Sequence, residues 1–195
     1  MTTPAHLERR YVARTEARVA ARGRTLVGYA ALFNVESRDL GGFVEVIRPG
    51  AFRASLADPE TDVRAFFDHD TGRVLGRQKS GTLRVAEDER GLRFEIDAPD
   101  TTDGRDAVEL IGRGDLDGTS FAFRMIEDEW TRTGRIHRRE LVAVDVFDVS
   151  VVTFPAYPET EVALRSLRVL EESGARRSRT AAARRRLSLA MARGA

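Results

Sequence analysis

The sequence predicts an α+β domain built on a mainly antiparallel sheet, closed or nearly closed into a barrel, with a few flanking helices and a basic, disordered C-terminal tail. Three observations point there. Runs rich in Val, Phe and Ile, with apolar side chains at alternate places, recur along the chain and are joined by short turns, as successive hairpins require. Helical spacing is confined to a few segments, and these do not alternate with strands in the βαβ order of a parallel sheet. Beyond Ser173 the composition turns to arginine and alanine and is poor in aromatics.

Taken in order, Tyr11 to Ala20 and Thr25 to Asn34 read as two strands flanking the turn-like Arg22-Gly23-Arg24. Arg48-Pro49-Gly50 introduces a short helix in which Phe52 and Leu56 share a face. A strand runs from Asp62 to Phe67 and ends at His69, with Gly72 and Gly76 keeping the following loop small. Leu83 to Val85 and Leu92 to Ile96 form a hairpin across Asp88 to Gly91. Asp103 to Arg113 is an amphipathic helix with Ala107, Leu110 and Ile111 on one side and Thr101 or Thr102 as its cap. Long strands follow from Thr119 to Thr131 and from Arg135 to Thr153, joined at Thr133-Gly134 and stopped by Pro155 and Pro158. A helix from about Glu159 to Glu172 closes the domain. The expected division is therefore a domain over residues 1–172 and a basic flexible tail over 173–195.

The 195 residues suffice for one well-buried core, and 42% hydrophobic with 32% charged residues argues against wholesale disorder. A net charge of +1 argues against a bulk polyanion binder. Without cysteine there is no disulfide, thiolate metal site or cysteine nucleophile. The first residues lack the apolar core of a secretory signal and no run reaches the length of a membrane span, so a soluble, unexported protein without membrane association is expected. Lys79, the only lysine, lies in a polar turn that would not depress its pKa, which weakens a serine–lysine dyad.

Three residues are candidates for chemistry, each with a structural alternative: a surface histidine held by its aspartates, a serine bonding a turn, and a carboxylate in a salt bridge. Ser120 stands where a polar Gly-Asp-Leu-Asp-Gly turn gives way to a strand, His69 stands at a strand end between Asp68 and Asp70, and Asp148 interrupts an otherwise apolar strand. Serine, histidine and a carboxylate are the parts of serine acyl transfer. A buried carboxylate needs a partner, and for Asp148 that partner is an imidazole or one of the many arginines. The surroundings of Ser120 are not those of the Gly-x-Ser-x-Gly elbow, so an α/β-hydrolase is not expected. His6, His69 and His137 are too scattered for a zinc motif, and Asp100 to Asp106 lacks the acid spacing of a calcium loop; neither a metal nor a cofactor is expected. The arginine-rich tail offers nucleic acid no more than a salt-sensitive, sequence-blind contact.

Read together and in order, Gly28-Tyr-Ala-Ala-Leu-Phe-Asn34, Ile47-Arg-Pro-Gly-Ala-Phe52, Phe67-Asp-His69-Asp with Leu75-Gly76, Gly91-Leu92, Gly118-Thr-Ser120-Phe-Ala-Phe123 and Val149-Ser-Val-Val-Thr-Phe-Pro-Ala156 resemble the prohead proteases of tailed bacteriophages over about residues 11–165. That family is similar to the herpesvirus assemblins, which implies an assemblin-like serine protease β-barrel with histidine ahead of serine in the chain. The resemblance puts the base at His69, the nucleophile at Ser120 and the third member at Asp148, in preference to His137. Relatives often carry glutamate at the third place, so the shorter aspartate needs a closer approach. An oxyanion hole is also required, either from backbone N–H groups near the Gly118 turn or from an arginine-held water.

The implied function is that of a serine endopeptidase that matures the prohead. It would cleave scaffold protein or the scaffold segment of the major capsid protein, and itself, inside the immature capsid in the host bacterial cytoplasm. The resemblance admits a homo-oligomer within the prohead, and it gives residues 173–195 a role as a propeptide trimmed by self-cleavage or as a targeting segment. The competing reading is a non-catalytic capsid-assembly or scaffold-binding module, which would have no need of His69, Ser120 and Asp148 together.

Overall fold

A computed structural model describes residues 7–12, 20–133 and 136–153. Its elements are β1 (Leu7–Val12), β2 (Ala20–Arg22), β3 (Thr25–Leu32), β4 (Phe43–Ile47), α1 (Arg53–Ala57), β5 (Arg64–Phe67), β6 (Asp70–Arg77), β7 (Leu83–Glu87), β8 (Gly91–Asp97), α2 (Thr102–Arg113), β9 (Gly118–Thr133) and β10 (Ile136–Val152). The expected helix at 159–172 and the basic tail lie outside the described residues.

The strands form two sheets. One has the order β1-β9-β10-β5-β6 with β4 also on β10, and the other the order β2-β3-β8-β7. This corrects the expectation of a closed or nearly closed barrel: the protein is mostly β-sheet with few helices, but among the described residues each sheet ends in edge strands. Local alternation shows which neighbours in sequence make hairpins, and β7 with β8 and β9 with β10 do so. It carries no information on whether the outermost edges meet.

The two long strands are the frame. Along its length β10 pairs antiparallel with β9, while its other side is shared in succession by β4, through His137 to Leu141, and by β5, through Asp148 to Val151. Both of these are parallel, an exception to the antiparallel pattern that no hairpin signal announces. Apolar side chains of both sheets meet in one core, with Leu26, Leu92, Phe94 and Ile96 from one and Phe121, Phe123, Val149 and Val151 from the other. Phe52, at the start of α1, fills the space between them, meeting Phe33 at 5.9 Å and the edge of Phe121 at 5.5 Å. Such pairs contribute about 0.5–1.5 kcal/mol beyond their buried area. The contact fixes β9 from the core side next to Ser120.

Helix α2 is stopped and started as its sequence suggests. Thr101 accepts a hydrogen bond from the Gly104 amide, and Gly114 takes the left-handed conformation at the other end, φ +81°. Ala107 and Ile111 are its core contacts.

The N-terminal segment departs from expectation. Instead of one strand over 11–20, β1 joins the large sheet beside β9 and β2 joins β3 in the small one. Burial of charge explains the split. Glu8 and Arg10 of β1 are both buried and find partners on the large sheet. Arg10 donates to Glu45 of β4 at 2.6 and 2.8 Å and to Glu8 at 2.6 Å. Arg139 of β10, with no exposed surface, donates to Glu8 at 2.8 and 3.1 Å, to Glu45 at 3.1 Å and to Asp128 at 2.7 Å. Charges removed from water must be paired in this way.

The segment expected as a loop after His69 is the edge strand β6, in which Leu75 and Gly76 are buried and the residues before them are largely exposed. A mostly exposed edge strand has too little apolar alternation to be read from sequence. Among the described residues no helix is long and apolar enough to cross a membrane.

Candidate active site

Two hydrogen bonds centred on one imidazole join the three residues singled out in the sequence. His69 Nε2 lies 2.6 Å from Ser120 Oγ, and His69 Nδ1 lies 2.7 Å from Asp148 Oδ1. A carboxylate can only accept, so Nδ1 carries the proton and Nε2 is left to accept from the serine hydroxyl.

Each side chain is held by a local device. His69 and Asp68 are the central residues of the turn between β5 and β6, and both have positive φ, +56° and +53°. Phe67 and Asp70 pair across them, so this is a two-residue hairpin of the primed type that suits strand twist. Asn or Gly usually fills such places, since other residues are strained there. The strain is held by anchors. Phe66 and Phe67 are buried, the Asp68 amide donates to the Val151 carbonyl at 2.9 Å, and the Asp68 carboxylate accepts from the Thr153 amide at 2.7 Å and the Thr153 hydroxyl at 2.9 Å. The turn is thus tied to the end of β10, the strand that carries Asp148.

Of the two aspartates beside His69, Asp68 is bound as described, and Asp70 caps its own turn by accepting from the Gly72 amide at 2.8 Å. The carboxylate that meets Nδ1 comes from 79 residues away.

Asp148 reaches the site because β10 is irregular. Val144 and Val146 face the core, so strict alternation would send Asp148 and Ser150 there as well. The register of β10 against β9 instead shifts between Val146 and Asp148, leaving Phe147 as the extra, exposed residue. After this bulge Val149 and Val151 face the core, and Asp148 and Ser150 face the side that carries Ser120 and His69.

Ser120 sits two residues into β9, and its neighbour Thr119 anchors the strand by donating to the Tyr29 carbonyl of the facing sheet at 2.6 Å. Gly118 is required by proximity, since a Cβ there would lie 2.7 Å from the Val152 carbonyl oxygen. Ser120 has no exposed surface, and the His69 and Asp148 side chains are 6% and 8% exposed. Burial strengthens the two hydrogen bonds.

His137 lies at the other end of β10, opposite Phe43 and Arg132, away from this cluster. Sequence reasoning overlooked Ser150. Its hydroxyl donates to Asp148 Oδ1 at 2.9 Å and lies 3.1 Å from His69 Nδ1. The signal was available in the spacing, since residues two apart on a strand share a face. Among the described residues no group of His, Asp or Glu is arranged to hold a metal.

A serine–imidazole–carboxylate chain built on strands and a hairpin turn, with histidine ahead of serine in the sequence, is the geometry of a serine acyl-transfer centre outside the α/β-hydrolase class. The chain matches the family model of the caudovirus prohead serine protease over residues 10–174 and belongs to that family. It is 33% identical over 141 residues to the prohead protease of Enterobacteria phage HK97, an alignment that covers 70% of this chain and 57% of that protein. The chain thus spans little more than half the length of that relative. No solved structure matches.

Proposed function

We propose that this protein is a phage prohead maturation protease, a serine endopeptidase in which Ser120 is the nucleophile, His69 the general base and acid, and Asp148 the residue that orients and stabilises the imidazolium. The observation that carries the reading is the continuous chain Ser120 Oγ, His69 Nε2, His69 Nδ1, Asp148 Oδ1 at 2.6 and 2.7 Å. As Ser120 Oγ attacks the peptide carbonyl carbon, its proton passes to Nε2 and the carbonyl electrons collect on oxygen. Collapse of that intermediate breaks the C–N bond, and His69 gives the proton to the leaving amine. Water, deprotonated by His69, then releases the acyl group by the same steps in reverse roles.

The substrates follow from family membership: scaffold protein or the scaffold segment of the major capsid protein, and the chain itself, cut within the prohead in the host cytoplasm. Confinement there raises local concentration and favours association between copies. The buried Ser120 fits a protease that stays idle until its site opens. Residues 173–195 are proposed as the segment that targets the protease or is trimmed by it, with at most non-specific contact to nucleic acid.

Co-expression with the major capsid protein of the same phage tests the substrate assignment. Intact mass should show loss of the scaffold segment, and no change in a capsid protein from which that segment has been removed. A capsid protein left at full mass beside the active chain and a separate scaffold protein equally intact would refute the assignment.

A further inference from the structure

We propose that Ser150 is a positioning residue of this centre, whose hydroxyl holds the Asp148 carboxylate against His69. The inference rests on the reading of Ser120, His69 and Asp148 given above. Ser150 is 1% exposed and lies in an apolar run, Val149-Ser150-Val151-Val152, where a hydroxyl is costly unless it is bonded. Its bond goes to the carboxylate: Oγ donates to Asp148 Oδ1 at 2.9 Å, the same oxygen that accepts the His69 Nδ1 proton at 2.7 Å. One oxygen is therefore fixed from two directions, and rotation of the carboxylate about its own axis would break both bonds.

The serine oxygen, having donated its own proton, lies 3.1 Å from Nδ1 and serves as a second acceptor for the same N–H. The ring is held in the tautomer and plane that present Nε2 to Ser120. Placement is a matter of backbone. Ser150 is the cross-strand partner of Ser120 on one side and of Phe66, three residues before His69, on the other.

The test has two arms on the full chain. In the first, protein carrying Ser120→Ala to prevent self-cleavage is labelled with nitrogen-15 histidine, and the His69 resonances are assigned among the three histidines by comparison with His69→Gln. A low-field Nδ1 proton is expected with Ser150 intact and with Ser150→Thr, and its loss or upfield movement is expected with Ser150→Ala. In the second, processing of co-expressed capsid protein should fall about tenfold with Ser150→Ala, the effect of one hydrogen bond to a charged group. It should stay near wild type with Ser150→Thr, and Ser150→Ala should add no loss to Asp148→Asn.

An Nδ1 resonance identical with and without the Ser150 hydroxyl overturns the proposal. So does an equal loss from Ser150→Ala in the Asp148→Asn background, which would place the effect in the fold. Failure of the underlying triad reading would show instead as processing by Ser120→Ala, an outcome that leaves the resonance arm readable.

Discussion

Ser120 and Ser150 face each other directly across β9 and β10, and one imidazole reaches both: His69 Nε2 is 2.6 Å from the first hydroxyl and Nδ1 3.1 Å from the second. The site is therefore a property of backbone register. Two serines sit opposite each other on antiparallel strands, the carboxylate stands two residues along one of them, and the histidine is brought over by the turn after the parallel strand β5. Groups fixed by register need little rearrangement when charge develops.

Residues that act as one unit lose function as one unit. Ser120→Ala and His69→Ala are each expected to abolish capsid-protein processing, and the double variant should be no worse than either single one. Asp148→Asn should leave the fold intact and slow processing by about 10⁴-fold, because the amide favours the wrong tautomer of His69. Rates of product formation by intact mass, alongside melting temperatures, check this.

Asp68 is predicted to matter more than its exposure suggests. Asp68→Ala removes the bonds to Thr153 and leaves a residue without local hydrogen bonding at φ +53°. A destabilisation of about 1–3 kcal/mol is expected, with slower processing as the His69 turn loosens. Asp68→Asn, which tolerates that conformation and keeps one acceptor, should lose less on both counts. Thermal unfolding of the two variants separates the cases.

The ion cluster under β1 sets an acid limit to stability. Burial pushes the Glu8 carboxyl up, but hydrogen bonding from Arg139 and the charges of Arg10 and Arg139 outweigh it and leave the group below its ordinary value of 4.5. A carboxyl depressed on folding contributes stability that is full above its unfolded value and is lost as pH falls through the folded one. Stability against unfolding should therefore fall below pH about 4.5 and do so less steeply in Glu8→Gln. Arg139→Met, which takes one of two arginines from Glu8 and Glu45 and the arginine from Asp128, should cost about 3–5 kcal/mol at neutral pH.

Gly118→Ala tests how closely β9 and β10 must approach beside Ser120. Its new Cβ would meet the Val152 carbonyl oxygen at 2.7 Å, contact with backbone that cannot swing aside. A loss of about 1–3 kcal/mol is expected, with reduced processing as Ser120 is displaced from His69. Denaturant unfolding together with capsid-protein mass checks both parts.

Much of this was legible in the sequence, and the illegible parts share a cause. The alternating runs of β7, β8, β9 and β10 and the capped helix α2 are written locally, in periods and turn residues. His69, Ser120 and Asp148 stood out as candidates by their types and order, and their proximity follows from a register that pairs Ser120 with Ser150. β4 was missed because Glu45 interrupts it, and that residue is buried only because Arg10 and Arg139 are there to meet it. The parallel pairing of β10 with β4 and β5, the bulge at Phe147 and the open sheet edges depend on contacts distant in the chain, on which local pattern is silent.

The central claim is that Ser120 performs the cleavage, and intact mass of the capsid protein after co-expression with wild type or Ser120→Ala tests it most directly. Wild type should yield the shortened capsid protein, and Ser120→Ala, at equal expression and with an unchanged melting temperature, should leave it at full mass. Processing by Ser120→Ala to the wild-type extent would contradict the account.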